Sequence, residues 1–226
     1  MLPHLSDPAP TPRAHWLARW VACALLAGLA PMAQACQTHA IPLDQVKAPV
    51  DGKVVQAFGC KDAEGEQWFI ESRAPGGVLN GKPQPTALSF YKFTVNPNGS
   101  LNKRWQARDF VAADSRLNRT ARVDRFTARD IDGDGLAEAF IAYATPGQGA
   151  NPDEGKLLVF FKDRKYAVRG AVAMMTNGFS TRNLDPTFNT LPLSVRNHAL
   201  SLWDSVAQPR GLFPNGGLTV TQAQEH

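Results

Sequence analysis

One short run of this chain has residue types and spacing suited to chemistry: Asp130-Ile131-Asp132-Gly133-Asp134-Gly135-Leu136-Ala137-Glu138. Three carboxylates stand at alternate positions, a fourth follows four residues after the last, and glycines fall where the chain must turn sharply. Such a run can wrap oxygen ligands around one hard cation, and calcium, with its flexible shell of roughly six to eight oxygens, suits it best. On this reading Asp130, Asp132 and Asp134 supply side-chain oxygen, Leu136 its backbone carbonyl, and Glu138 a carboxylate, directly or through water. An EF-hand also opens D-x-D-x-D-G, but its twelfth position needs a bidentate Glu. Here that position is Ile141, in an apolar run, so the EF-hand is excluded.

Signatures of catalysis are missing. The sequence has no H-E-x-x-H, no G-x-S-x-G and no P-loop, and no catalytic residue is assigned. A paired set of carboxylates for glycoside hydrolysis would meet in space and so is not legible here. The one concentrated basic stretch is Arg116, Arg119, Arg122, Arg125 and Arg129. On a helix several of these would share a face, whereas a strand would split them between faces. They could meet carboxylates or phosphates of an anionic glycan or another envelope component, or form a solvated face balanced by Asp114, Asp124 and the acidic run. The net charge of +4 is too small to make nucleic acid the expected partner.

Arg13 and Arg19 precede the apolar run Trp20 to Ala30, then Pro31 and Ala33-Gln34-Ala35, an A-x-A cleavage pattern. About 11 apolar residues fall short of the roughly 20 that span a bilayer. Residues 1–35 therefore read as a signal peptide cleaved after Ala35, and no other stretch is apolar enough to span. The mature chain would be periplasmic or secreted. Cleavage discards Cys23 and leaves Cys36 and Cys60 in an oxidising compartment, where the expected outcome is a disulfide between them. Closing that loop of about 25 residues is worth roughly 3.5 kcal/mol in the chain-entropy model. The rivals are two free thiols, or a lipid anchor on Cys36, for which the preceding residues lack the usual Leu at Ala33.

The elements that must carry the acidic run are short apolar segments bounded by Gly, Pro and Asn, which predicts strands. They are Lys53–Gly59, Gln67–Ser72, Thr86–Val95, Leu101–Phe110, Arg122–Ala128, Ala137–Ala144, Lys156–Lys162 and Tyr166–Ala173. Asn96-Pro97-Asn98-Gly99 joins two of them as a hairpin. A helical period appears only from Pro192 to Ala207, where Leu193, Leu200, Trp203 and Val206 share a face. The expected fold is mainly β, built of antiparallel hairpins as a sandwich or as propeller-blade-like units, with one C-terminal helix. Residues 36–209 form the β-rich domain, and residues 210–226 a flexible tail. Phe69-Ile70 and Phe140-Ile141, each followed at equal spacing by Pro-Gly and then by an aromatic strand (Phe90-Tyr91, Phe160-Phe161), suggest two copies of a hairpin unit. Lys61–Glu66 of the first copy lacks the acidic spacing, so one metal site is expected.

With strand on both sides, the acidic run resembles the calcium loop of FG-GAP and related β-propeller repeats, D-x-D-G-D-G-x-x-D/E followed by a hydrophobic strand. The resemblance covers about residues 122–162 and departs in having Glu138 where Asp is commoner. A wider likeness runs through Leu101–Phe110, the acidic run, Lys165–Gly170 and Leu202-Trp203-Asp204. In that order these segments are similar to exported bacterial proteins of undefined activity, some labelled as surface polysaccharide biosynthesis proteins. The resemblance implies export and a single calcium loop. The functional expectation is an exported calcium-binding structural or binding module of the cell envelope; the alternative is an envelope enzyme acting on surface polysaccharide.

Overall fold

A computed structural model describes residues 36–76, 78–79, 82–83, 86–111, 121–147, 151–172 and 181–207. The leader, Arg116, Arg119 and the C-terminal tail lie outside the described residues. All eight strands expected from the sequence are present. The strands are β1 (Thr38–Ala40), β2 (Lys53–Asp62), β3 (Gly65–Ala74), β4 (Val78–Leu79), β5 (Lys82–Pro83), β6 (Thr86–Val95), β7 (Leu101–Val111), β8 (Arg122–Arg129), β9 (Glu138–Thr145), β10 (Asp153–Phe161), β11 (Arg164–Val172) and β12 (Asn183–Leu184). One α-helix, α1 (Leu193–Val206), follows. β1, β2, β3, β6 and β7 form one antiparallel sheet in that order; β12, β11, β10, β9 and β8 form another; β4 and β5 make a small ribbon. The turns follow from local chemistry. After β6, Gly99 takes φ +79° and its N–H donates to the Asn96 carbonyl at 2.8 Å, closing the hairpin read from the sequence. Between β10 and β11 a two-residue turn places both Lys162 and Asp163 in the left-handed region, at φ 48° and 59°, as a type I′ turn requires.

The two sheets pack on one another through alternate residues of their strands. Phe58, Phe69, Phe90, Trp105 and Ala107 of the first meet Phe126, Ile141, Tyr143, Leu158, Phe160 and Ala167 of the second. Trp105 stacks on Phe160 with ring centroids 3.7 Å apart, and the Phe126 ring meets Phe58 and Phe90 edge-on. Each such burial contributes roughly 1.5 to 3 kcal/mol against leaving the side chain in water. The Cys36–Cys60 disulfide joins the segment before β1 to β2, and both cysteines belong to this core.

Both four-stranded halves, β2-β3-β6-β7 and β8-β9-β10-β11, are meanders, and both carry a bulge at the same place. The β2–β3 ladder steps from Val54 to Gln56, and the β8–β9 ladder from Val123 to Arg125. Superposing the halves on these bulges matches Phe69 with Phe140, as the sequence suggests, but the ladders then match Phe90 with Leu157. The second aromatic correspondence in the sequence is therefore not a structural one. The matched residues face the same way along the stack: Phe69 points at the neighbouring sheet, whereas Phe140 lies on the outer face of its own. The halves thus stack head to tail, leaving one end face on each. In arrays of this kind the end faces need separate covers. Residues 41–50 lie over Ile70, Tyr91 and Phe93 of the first sheet, and the turn Pro186–Thr190 with α1 lies over Phe140, Leu157, Val159 and Val168 of the second.

The face of α1 differs from the expected one. Val195, Ala199, Trp203 and Val206 are buried, while Leu193 is 61% exposed. At about 100° per residue Leu193 lies on the far side of the helix from Val195, which is fully buried in the same first turn, while Leu200 is partly buried at the margin of the packed face.

Candidate metal centre

The acidic run forms the connection between β8 and β9, and its conformation is set by its own side chains. Gly133 and Gly135 take φ +78° and +88°, the left-handed turns for which glycine is needed. Asp130 accepts the Gly133 N–H at 2.7 Å and the Gly135 N–H at 3.0 Å; Asp134 accepts the Leu136 N–H at 2.9 Å. Glu138 opens β9, and its carboxylate reaches back across the loop to accept the Ile131 N–H at 2.7 Å. Carboxylate oxygens of Asp130, Asp132, Asp134 and Glu138 lie within 4.8 Å of one another, so the four could hold a metal ion. They are the one such group among the described residues. Leu136 sits in the same turn, between Asp134 and Glu138.

Electrostatics sets the four apart. Glu138 is 1% exposed, and burial first, then the neighbouring Asp132, Asp130 and Asp134, push its carboxyl up to about 8. Against the cost of burial, the Leu136 N–H and the Lys162 ammonium hold the Asp134 carboxyl below its ordinary value. Such a cluster is costly without a compensating cation, and Lys162 compensates it in part at 3.0 Å from Asp134. Its left-handed backbone, uncommon for a lysine, accompanies that reach from the β10–β11 turn.

Two features of the centre escape the sequence. Asp62, the last residue of β2, accepts the Ala137 N–H at 3.3 Å, while the Ala63 N–H of the β2–β3 turn donates to the Gly135 carbonyl at 2.8 Å. The turn of the first half thus braces the loop of the second across 75 residues of sequence. Asp62 is itself held by the Gln67 amide at 3.1 Å. Neither Asp62 nor Lys162 belongs to a recognisable motif, and only an alignment of the two halves could have pointed to Asp62.

The arginines fall differently from the expectation for a strand. Arg122, Arg125 and Arg129 are exposed on β8, an edge strand. The bulge between Val123 and Arg125 shifts the alternation by one residue, so Arg122, Arg125 and Arg129 share the outer face instead of being split. Arg122 is engaged by Asp124 at 2.7 Å. His198 packs edge-on against Phe140 at 4.7 Å, and burial, with the Arg129 charge, holds its pKa below the ordinary value. It is a neutral packing residue at pH 7.

No family model matches the chain, and neither the curated proteins nor the solved structures give a match.

Proposed function

We propose that this protein is exported, with its leader removed after Ala35, and serves as a structural or binding module of the cell envelope stabilised by one calcium ion. The observation that carries the reading is the convergence of four carboxylates within 4.8 Å. Calcium–oxygen distances of roughly 2.3 to 2.6 Å put opposite ligands about 4.6 to 5.2 Å apart, whereas magnesium's shell spans only about 4.2 Å. The Leu136 carbonyl and water complete the shell, in keeping with the likeness to FG-GAP loops. Export is supported by the Cys36–Cys60 disulfide, which suits an oxidising compartment. Among the described residues no helix is long and apolar enough to cross a membrane.

The metal reading is tested by thermal unfolding. With Kd about 10⁻⁴ M, an extracellular-class site at about 2 mM calcium stabilises the fold by roughly 1.8 kcal/mol. That raises Tm by about 4 to 7 °C. Magnesium should give much less, and Asp132→Ala should abolish the shift. A wild-type Tm indifferent to chelator would reduce the loop to an acidic turn. Export is tested by intact mass. The secreted form should begin at Cys36 and weigh two hydrogens less than the reduced chain; an added diacylglyceryl mass would select the lipoprotein instead.

An anionic glycan or other envelope polyanion is the proposed partner, supported by the outer-face row Arg122, Arg125 and Arg129. Retention on heparin should fall with salt, because exposed charges are screened over about 10 Å at 0.1 M. Arg125→Ala with Arg129→Ala should weaken it further, and unchanged retention in that double variant would leave the row a solvated face.

A further inference from the structure

Between the two sheets lies a cavity of about 130 Å³, close to the roughly 150 Å³ of an engineered cavity that takes up benzene. It is separate from the acidic loop, and none of the four loop carboxylates lines it. Phe90 and Leu158, both buried, give it an apolar floor. On one wall Asp109 accepts the Tyr143 hydroxyl at 2.8 Å and the Lys156 ammonium at 2.7 Å. Those two donors hold the Asp109 carboxyl below its ordinary value despite the cost of burial, and the hydrogen bonds join the three side chains in one polar network.

Among the described residues, not every cation at this cavity has an ion-pair partner. Four cations line it: Arg108, Lys156, Lys165 and Arg169. Arg108 is matched by Asp51 at 3.4 Å, Lys156 by Asp109, and Arg169 by Asp185 at 2.7 Å. Glu154 stands farther from Lys156, at 3.8 Å, and both it and Asp51 are more than half exposed, where water screens them. Lys165 has no partner among the described residues. One exposed cation without a partner among the described residues therefore sits at the edge of a half-apolar cavity. Among the described residues the Arg169 guanidinium also has donors to spare, since a guanidinium carries five and Asp185 takes one.

We propose that this cavity binds a small monoanionic organic acid, its carboxylate on Lys165 and Arg169 and its apolar body on Phe90 and Leu158. The one cation unpaired among the described residues, Lys165, offers a place for one carboxylate. An inorganic dianion has no body to cover the floor. Asp109 sets the orientation, because its fixed carboxylate repels the ligand's own towards Lys165.

Benzoate has the size and the single charge required, and can be titrated into the isotope-labelled secreted protein while backbone amide resonances are followed. Saturable shifts are expected at Ala107, Tyr143 and Leu158, with neither benzamide nor sulfate reproducing them. Lys165→Glu should weaken benzoate by about tenfold or more, the loss of one charge-assisted contact. Lys103→Glu, which changes a lysine outside the cavity, should leave it unchanged, and the dispersion of each variant's spectrum reports that it is folded. Equal binding of benzamide would make this an apolar hole. Equal binding of sulfate would make it an inorganic anion site. Either result, the absence of shifts, or undiminished affinity in Lys165→Glu would overturn the proposal.

Discussion

Replacing Trp203 by alanine is expected to destabilise the protein by about 3 to 5 kcal/mol, the range for removing a buried large aromatic side chain. Trp203 is 2% exposed and sits at the centre of the cluster that α1 lays over Phe140, Leu157, Val159 and Val168. Its ring rests on Gly155 of β10 so closely that a Cβ there would stand 3.1 Å from its nearest ring atom, and would also strike the Val172 side chain. The glycine is the socket and the indole fills it. The loss should appear as a lower denaturant midpoint with an unchanged slope. Leu193→Ala on the same helix, at a residue 61% exposed, should stay within about 0.5 kcal/mol. Gly155→Val should mimic the Trp203 loss from the other side. Because the halves stack head to tail, uncovering this end face also presents a surface like the one the first half already uses. Trp203→Ala should therefore bind apolar dyes and self-associate as concentration rises. A Trp203→Ala protein as stable as Leu193→Ala would show that α1 is not the cover of the second sheet.

Calcium affinity is expected to fall about fiftyfold between pH 8 and pH 6. Glu138, with its carboxyl pushed up to about 8, is mostly protonated at pH 7, and a calcium ion that takes it as a ligand must displace that proton. Below the pKa each unit of pH then costs about tenfold in affinity, equivalent to about 1.4 kcal/mol. Calorimetry at pH 6.5 in buffers of different ionisation enthalpy should find about one proton released per ion bound. Glu138→Gln should flatten the profile and weaken binding throughout. In chelator the sign reverses. The folded-state pKa lies above the ordinary 4.5, so this group's contribution to stability is complete below about pH 4.5 and is lost as pH rises through about 8. An affinity independent of pH over this range would remove Glu138 from the ligand set, whatever becomes of the three aspartates.

Strand positions, the hairpin at Asn96–Gly99, the pairing of Cys36 with Cys60 and the acidic run were all legible in the order of residues. Each depends on near neighbours: alternation of apolar side chains, turn chemistry within four residues, a count of two cysteines, and carboxylates spaced along one loop. The mutual approach of Asp130, Asp132, Asp134 and Glu138 belongs to the same class, because two glycines and the loop's own N–H bonds bring them together. What the sequence did not contain depends on distance along the chain. That Asp62 braces Ala137, that Lys162 faces Asp134, and that Lys165 is left unmatched beside the Asp109, Tyr143 and Lys156 network all require strands far apart in sequence to be stacked in one particular order. The arginines of β8 illustrate the divide most simply. Their spacing says that a strand should scatter them, yet one bulge, present only because β8 pairs with β9 in a shifted register, returns Arg122, Arg125 and Arg129 to one face. Alternation is a local property of a single strand, but the register that decides which side each residue faces is a property of the sheet.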